Sequence, residues 1–260
     1  MTEEKEFFKI MAETVRREYS GVDVDSEVWR EFLTDRPQIA PKPATMPQVK
    51  SEPSRATASN PTAAEPVSLA AADMNMLAQM VRDCRKCNLR GGCRQTVFGE
   101  GNYQAELMFV GEAPGAEEDA TGRPFVGKSG QLLDKMIQAM QFRRSEVFIG
   151  NVVKCRPPGN RNPMPEEADA CIGYLKRQIE LIKPRVLVLL GATPLLFLMN
   201  ISGIKRNRGN WMEYNGIPVM PTFHPAYLLH SPGDKRLVWE DLKAVMRLLG
   251  KDPAATSRRK

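Results

Sequence analysis

The sequence predicts an α/β fold: a three-layer α/β/α domain with a central, mostly parallel four-stranded sheet, carried behind an N-terminal extension. Three observations predict it. Short apolar runs of strand length recur at 107–110, 147–153, 185–190 and 217–222, without the polar alternation of a strand exposed on one face. Segments with apolar residues at helical spacing stand between them, and strands alternating with helices imply a parallel sheet covered on both sides. A chain of 260 residues holds one such domain plus an appendage.

Taken in order, residues 1–35 carry Phe7, Phe8, Ile10, Met11, Val15, Trp29 and Phe32, the pattern of one or two short amphipathic helices. From 36 to 67 the composition turns to Pro, Ala, Ser and Thr, and no aromatic residue occurs between Phe32 and Phe98. Such a stretch cannot bury enough apolar surface to order itself, so a disordered linker is expected. The main domain spans 68–250. Its first strand, 107–110, feeds a long loop, GEAPGAEEDATGRPFVGKSG (111–130). A helix follows in which Leu132, Leu133, Met136, Ile137 and Met140 recur at helical spacing. After the second strand, the segment 165–182 sets Ala168, Cys171, Ile172, Leu175, Ile179 and Ile182 on one helical face. After the fourth strand a last helix, 235–249, turns Val238, Leu242, Val245 and Leu249 to one side. Residues 251–260 are expected to be a disordered tail.

Several classes of function are set aside at this level. No run of about 18 apolar residues occurs, so no membrane span is expected. The N-terminus, MTEEKEFFKI, lacks the cationic start and apolar core of a signal peptide. A cytoplasmic location is the expectation, and there cysteines serve as metal ligands or reactive thiols more often than as disulfides. The net charge of +6 favours a polyanionic partner, although a solubilising surface gives the same excess. A monomer is expected, and residues 1–35 either engage a protein partner or are dispensable.

The loop after the first strand is where chemistry is expected, because open α/β sheets bind ligands at the carboxyl ends of their strands. Its second half, GRPFVGKS (122–129), has the spacing of a phosphate-binding P-loop. The context is wrong for one: eleven residues separate it from its strand, and no later strand ends in an Asp to hold a nucleotide's Mg²⁺. Of the five cysteines, Cys84 and Cys87 form a C-x-x-C pair, Cys155 follows the second strand, and Cys171 lies in the following helix. These four can close one thiolate site. A structural zinc usually shows two C-x-x-C knuckles and only one is present, so an iron–sulfur cluster suits the spacing at least as well. Cys93 as a substitute ligand, a redox pair, or buried unligated thiols remain as alternatives. Asn151 near the end of the second strand offers an amide to the edge of a pyrimidine. His224 past the fourth offers a donor to an oxygen gaining negative charge, and Phe125 a ring to stack on a flat base.

In this order the motifs resemble the family 4 uracil-DNA glycosylases, the iron–sulfur branch of the uracil-DNA glycosylase superfamily. The resemblance covers about 77–249 and includes C-x-x-C at Cys84, VFGEGN (97–102), GEAPGxxED (111–119), GRPFVGxSG (122–130), NVVKCRPP (151–158) and HPAYLL (224–229). It implies that Cys84, Cys87, Cys155 and Cys171 ligate a 4Fe-4S cluster of structural role, with Cys93 spare. It implies that Gly111, Glu112 and Ala113 line the uracil pocket and the place of the hydrolytic water, and that Glu118 is an acidic pocket residue. Phe125 would stack on uracil, Asn151 read its edge and His224 hydrogen-bond its O2. The implied activity is hydrolysis of the N-glycosidic bond of uracil flipped out of DNA, leaving an abasic site for base excision repair, with His224, Glu112 and Asn151 as catalytic residues. Other superfamily branches carry Asp or Asn where Ala113 stands, so Glu112 is the natural substitute for orienting water. Leu228 and Leu229 are a candidate wedge for the gap left by the flipped base. Lys154, Arg156, Arg161, Lys205, Arg206 and Arg208 are candidate phosphate contacts. The competing readings are a non-catalytic iron–sulfur DNA-binding protein on the same fold and a zinc-stabilised nucleotide-binding module.

Overall fold

The computed structural model describes residues 68–256; the helices expected in 1–35 and the linker expected in 36–67 lie outside the described residues. Six strands form one sheet: β1 (Glu100–Gly101), β2 (Leu107–Gly111), β3 (Phe148–Asn151), β4 (Val186–Leu190), β5 (Met212–Tyr214) and β6 (Ile217–Thr222), in the spatial order β1-β3-β2-β4-β6-β5. The four expected strands are its parallel centre. The two strands absent from the sequence reading are antiparallel edges of two and three residues, too short to leave a period in the sequence. Every residue of β2 and β4 is buried, which is why their sequences, LMFVG and VLVLL, carry no polar alternation.

The helices are α1 (Met74–Arg82), α2 (Leu89–Gly92), α3 (Ala116–Thr121), α4 (Lys128–Ala139), α5 (Pro165–Ile182), α6 (Ala192–Met199), α7 (Ile204–Asn207), α8 (Pro225–His230) and α9 (Lys235–Leu248). Local chemistry sets the bounds of α5. Pro165 occupies its first turn, the Glu167 carboxylate returns to the Met164 N–H at 2.7 Å, and Lys183 ends it in the left-handed conformation. The chain passes from β2 through α4 to β3 on one side of β2, and from β4 through α6 to β6 on the other. Right-handed crossovers then put α4 and α6 on opposite faces, where α4 packs on α8 and α6 on α5. Between β2 and β4 the direction of winding reverses, and the crevice outside their carboxyl ends is the switch point where such sheets take ligands.

A buried polar knot ties α9 to the sheet. Asp241, 2% exposed, accepts a hydrogen bond from the Thr222 hydroxyl at 2.6 Å and pairs with the Arg208 guanidinium. Burial raises the Asp241 carboxyl pKa against the pull of these two partners. Arg208→Ala strands this carboxylate, and we expect it to lower unfolding free energy by about 3 kcal/mol in urea denaturation. A loss below about 1 kcal/mol would mean that water replaces the guanidinium. Within 251–256, expected as disordered tail, Lys251 and Asp252 contact the domain. Lys251 Nζ donates to the Gln141 carbonyl and lies 4.0 Å from the centre of the Phe142 ring, and 253–256 form a 3₁₀ turn. Among the described residues, no helix is long and apolar enough to cross a membrane.

Candidate active site

The strand register sets Gly111 beside Asn151 at the carboxyl ends of β2 and β3. A side chain at Gly111 has no room: its Cβ would lie 2.5 Å from both Asn151 Oδ1 and the Phe125 ring. The absence of a Cβ thus lets the amide of Asn151 and the ring of Phe125 close on the same backbone. The Oδ1 atom of Asn151 is buried and accepts no hydrogen bond from any described residue. An orphaned buried acceptor costs about 1–3 kcal/mol, so it marks a place where a donor arrives from outside the chain.

Beside this corner opens a cleft of about 610 Å³ lined by Glu112, Ala113, Glu118, Phe125, Gly191 and His224, among others. His224 caps α8: its Nδ1 accepts the Ala226 N–H at 3.1 Å. Burial pulls its pKa down to about 4, against an opposing effect from the Glu118 carboxylate. The ring is therefore neutral near pH 7, and with Nδ1 accepting, the proton sits on Nε2, leaving one N–H to donate. Phe125 faces it with ring centroids 5.6 Å apart. Gly191, at φ +95° after β4, lets the chain pass within contact of the His224 side chain.

Glu112 follows β2, and its carboxyl receives a short hydrogen bond from the Thr193 hydroxyl at the start of α6. Desolvation pushes its pKa up to about 7, opposed by Thr193. Thr193 is a site residue that sequence reasoning missed; its signal is its place in GATP, directly after a strand and opening a helix. Glu118 is buried, and its two oxygens receive three backbone N–H groups, those of Gly115, Val126 and Gly127 at 3.0, 2.9 and 3.1 Å. These bonds occupy the amides a phosphate would need, so the P-loop spacing of 122–129 is coincidence.

The candidate phosphate contacts divide. Lys154 is 1% exposed, donating to the Asn151 carbonyl at 3.0 Å and to Gln178 at 2.7 Å, so it braces the strand end and does not meet solvent. Arg208 is committed to Asp241, and Arg161 forms a two-pronged pair with Glu167 at 2.8 and 2.7 Å. Lys205 and Arg206 are exposed and Arg156 half-buried. The leucine pair also divides: Leu228 is core at 1% exposure, whereas Leu229 stands 42% exposed.

Behind the sheet end, Cys84, Cys87, Cys155 and Cys171 wall one pocket with Val81, Leu89, Val153 and Tyr174. Among the described residues, no group of three or more His, Cys, Asp or Glu side chains is placed to hold a single metal ion. Burial raises the Cys171 thiol to about 11 and pushes up the Cys87 and Cys155 thiols as well; neighbouring cysteines add to each rise. A pocket walled by four cysteines, three of whose thiols burial disfavours as free anions, fits a cationic, sulfur-seeking group. Cys93 is buried outside this wall, bonded to the Arg90 carbonyl and neighbouring Cys155.

The family model of the uracil DNA glycosylase superfamily matches residues 98–243. The chain is 45% identical to a type-4 uracil-DNA glycosylase of Thermotoga maritima over 184 residues, covering 69% of this chain and 96% of that protein. It is 42% identical to the type-4 uracil-DNA glycosylase of Saccharolobus solfataricus over 191 residues, covering 70% and 88% of the two chains. Against that of Archaeoglobus fulgidus the identity is 42% over 190 residues, covering 68% and 96%.

Proposed function

This chain belongs to the uracil-DNA glycosylase superfamily, in its type-4 branch, and from that premise we propose that it hydrolyses uracil from DNA. The reaction breaks the N-glycosidic bond of a flipped-out deaminated base and leaves an abasic site for base excision repair. The observation that carries the reading is the orphaned Oδ1 of Asn151 beside Phe125 and Gly111. Uracil presents an N3–H donor next to its O4 acceptor, which an Asn amide complements. With Oδ1 turned to N3 and Nδ2 to position 4, cytosine sets its N3 acceptor against Oδ1 and its N4 amino group against Nδ2, so the amide orientation that meets uracil rejects it.

Bond cleavage leaves a cationic sugar and a uracil anion. The Nε2–H of neutral His224 donates to O2, where that charge gathers, and costs little reorganisation because Nδ1 is already fixed by α8. Phe125 stacks on the base. Glu112, with Ala113 beside it, holds the hydrolytic water, and its carboxylate form takes the proton. Arg156, Lys205 and Arg206 supply phosphate contacts, and Leu229 alone serves as the wedge.

A pKa near 7 at Glu112 gives this role a sign. The ionised fraction rises from about a tenth at pH 6 to about nine-tenths at pH 8, so kcat/KM for uracil release is expected to rise about tenfold across that span. Glu112→Gln should flatten the limb and lower the plateau. A limb that persists in the Gln variant would assign it to another group.

We assign Cys84, Cys87, Cys155 and Cys171 as the ligands of a 4Fe-4S cluster. When bound, the cluster supplies charge compensation and cross-linking. Cys84 and Cys87 after α1 and Cys155 past β3 would then be held together with Cys171 of α5, whose Sγ already accepts the Lys154 N–H at 3.3 Å. Metal analysis should find about four irons and four sulfides per chain. Cys171→Ser should lose iron and melt at lower temperature. Stoichiometric zinc would overturn the assignment. DNA as partner and a cytoplasmic location complete the reading. Release of free uracil from a U·G duplex tests it; DNA binding without release would leave a non-catalytic iron–sulfur protein.

A further inference from the structure

Phe125 sits in the left-handed backbone region, at φ +51°, which a bulky aromatic residue enters only when its surroundings impose it. Three contacts impose it. Glu118 takes the N–H groups of Val126 and Gly127 on one side. Gly130 packs beneath, where a Cβ would lie 2.0 Å from the Phe125 carbonyl oxygen. On the other side Arg144 donates from Nη1 to the Phe125 carbonyl at 3.2 Å and from Nη2 to the Pro124 carbonyl at 2.5 Å.

Arg144 does not line the cleft, yet its guanidinium is fixed on two further edges. Asp134 of α4 accepts from Nη1 at 2.7 Å and Glu100 of β1 from Nε at 3.2 Å. Glu100 in turn grips Arg123, two residues before Phe125, through two bonds of 2.8 Å. Only a planar, multi-donor guanidinium meets two carbonyls and two carboxylates at once; a lysine ammonium does not span them. Arg144 also opens the 3₁₀ turn that leads into β3, the strand ending at Asn151. One side chain thus fixes the stacking ring from the turn that begins the base-reading strand.

We propose that Arg144 is a positioning residue for base recognition, holding the Phe125 ring in stacking register through its grip on the carbonyls of Pro124 and Phe125. The proposal rests on the reading of Phe125 as the ring that stacks on uracil. Arg144→Met is expected to raise the inhibition constant of free uracil, and KM for a uracil-containing oligonucleotide, by about tenfold, within the range that one base–aromatic stack supplies. The change in kcat should stay within about threefold, because stacking acts on the bound base in ground and transition states alike.

The discriminating measurement is a double-mutant cycle on uracil inhibition with Phe125→Ala, Arg144→Met and the pair. Once the ring is absent, removing Arg144 should change the inhibition constant no further. Additive effects would overturn the proposal, as would an unchanged inhibition constant in Arg144→Met when Phe125→Ala raises it. If Phe125→Ala itself leaves uracil inhibition unchanged, the stacking reading fails and the inference with it. Should Arg144→Met fold poorly, Arg144→Lys keeps the charge facing Glu100 and Asp134 while losing the two-carbonyl grip. It is expected to show the same rise in the inhibition constant with a smaller drop in melting temperature than Arg144→Met, and wild-type inhibition in that variant would overturn the proposal.

Discussion

His224→Ala is expected to slow uracil release by about 100- to 1,000-fold, the usual cost of deleting one preorganised donor to a developing anion. The loss should fall on kcat, with KM nearly unchanged, because the donor meets full charge only as the glycosidic bond breaks. Two features make the histidine suited to this. Burial keeps its pKa down near 4, so the ring is neutral throughout the working range. The bond from the Ala226 N–H to Nδ1 places the remaining proton on Nε2. The same residue caps α8, and losing that cap costs about 1 kcal/mol of stability. Single-turnover rates on folded protein, with melting temperature as a control, separate the two roles. A rate within about fivefold of wild type, beside a lowered melting temperature, would reduce His224 to a helix cap.

Asn151→Ala is expected to lower kcat/KM for uracil by about 1,000-fold or more, since the site is built to hydrogen-bond the base edge. Its effect on stability should have the opposite sign to that of most buried substitutions. Oδ1 is buried without a partner among the described residues, and deleting an unsatisfied acceptor removes a cost, so unfolding free energy should hold or rise by up to about 1 kcal/mol. That combination distinguishes a recognition residue from a structural one. A variant that releases uracil within tenfold of wild type, or that unfolds readily, would place Asn151 among the packing residues.

Much of this was legible in the sequence for a local reason. β2, β3 and β4 are buried throughout and β6 over its last four residues, so their apolar runs announce them without a partner in view. The helix 165–182 was readable to the residue because its proline, its acidic first turn and its apolar stripe are all encoded within it. Asn151 and His224 stand at strand ends, and their order along the chain groups them with Phe125; Gly111 joins them only through the family resemblance. What composition and spacing misjudged were charges. Lys154 and Arg208 look like surface cations, and both are spent inside, on Asn151 and Gln178 and on Asp241. Leu228 and Leu229 are neighbours with identical side chains, yet one is core and the other exposed.

The sequence by itself determined the α/β class, the central strands and the family, because each depends on residue type and spacing legible along the chain. Only the tertiary structure decided which atoms lack partners, which carboxyl is desolvated and which arginine holds the stacking loop. Thr193 lies 81 residues from Glu112 and Arg144 lies 19 from Phe125. Contacts across such separations form only when the sheet sets its strand ends side by side. Burial, which moves the pKa of Glu112 and His224 in opposite directions, is a property of the packed cleft and of no single stretch of chain.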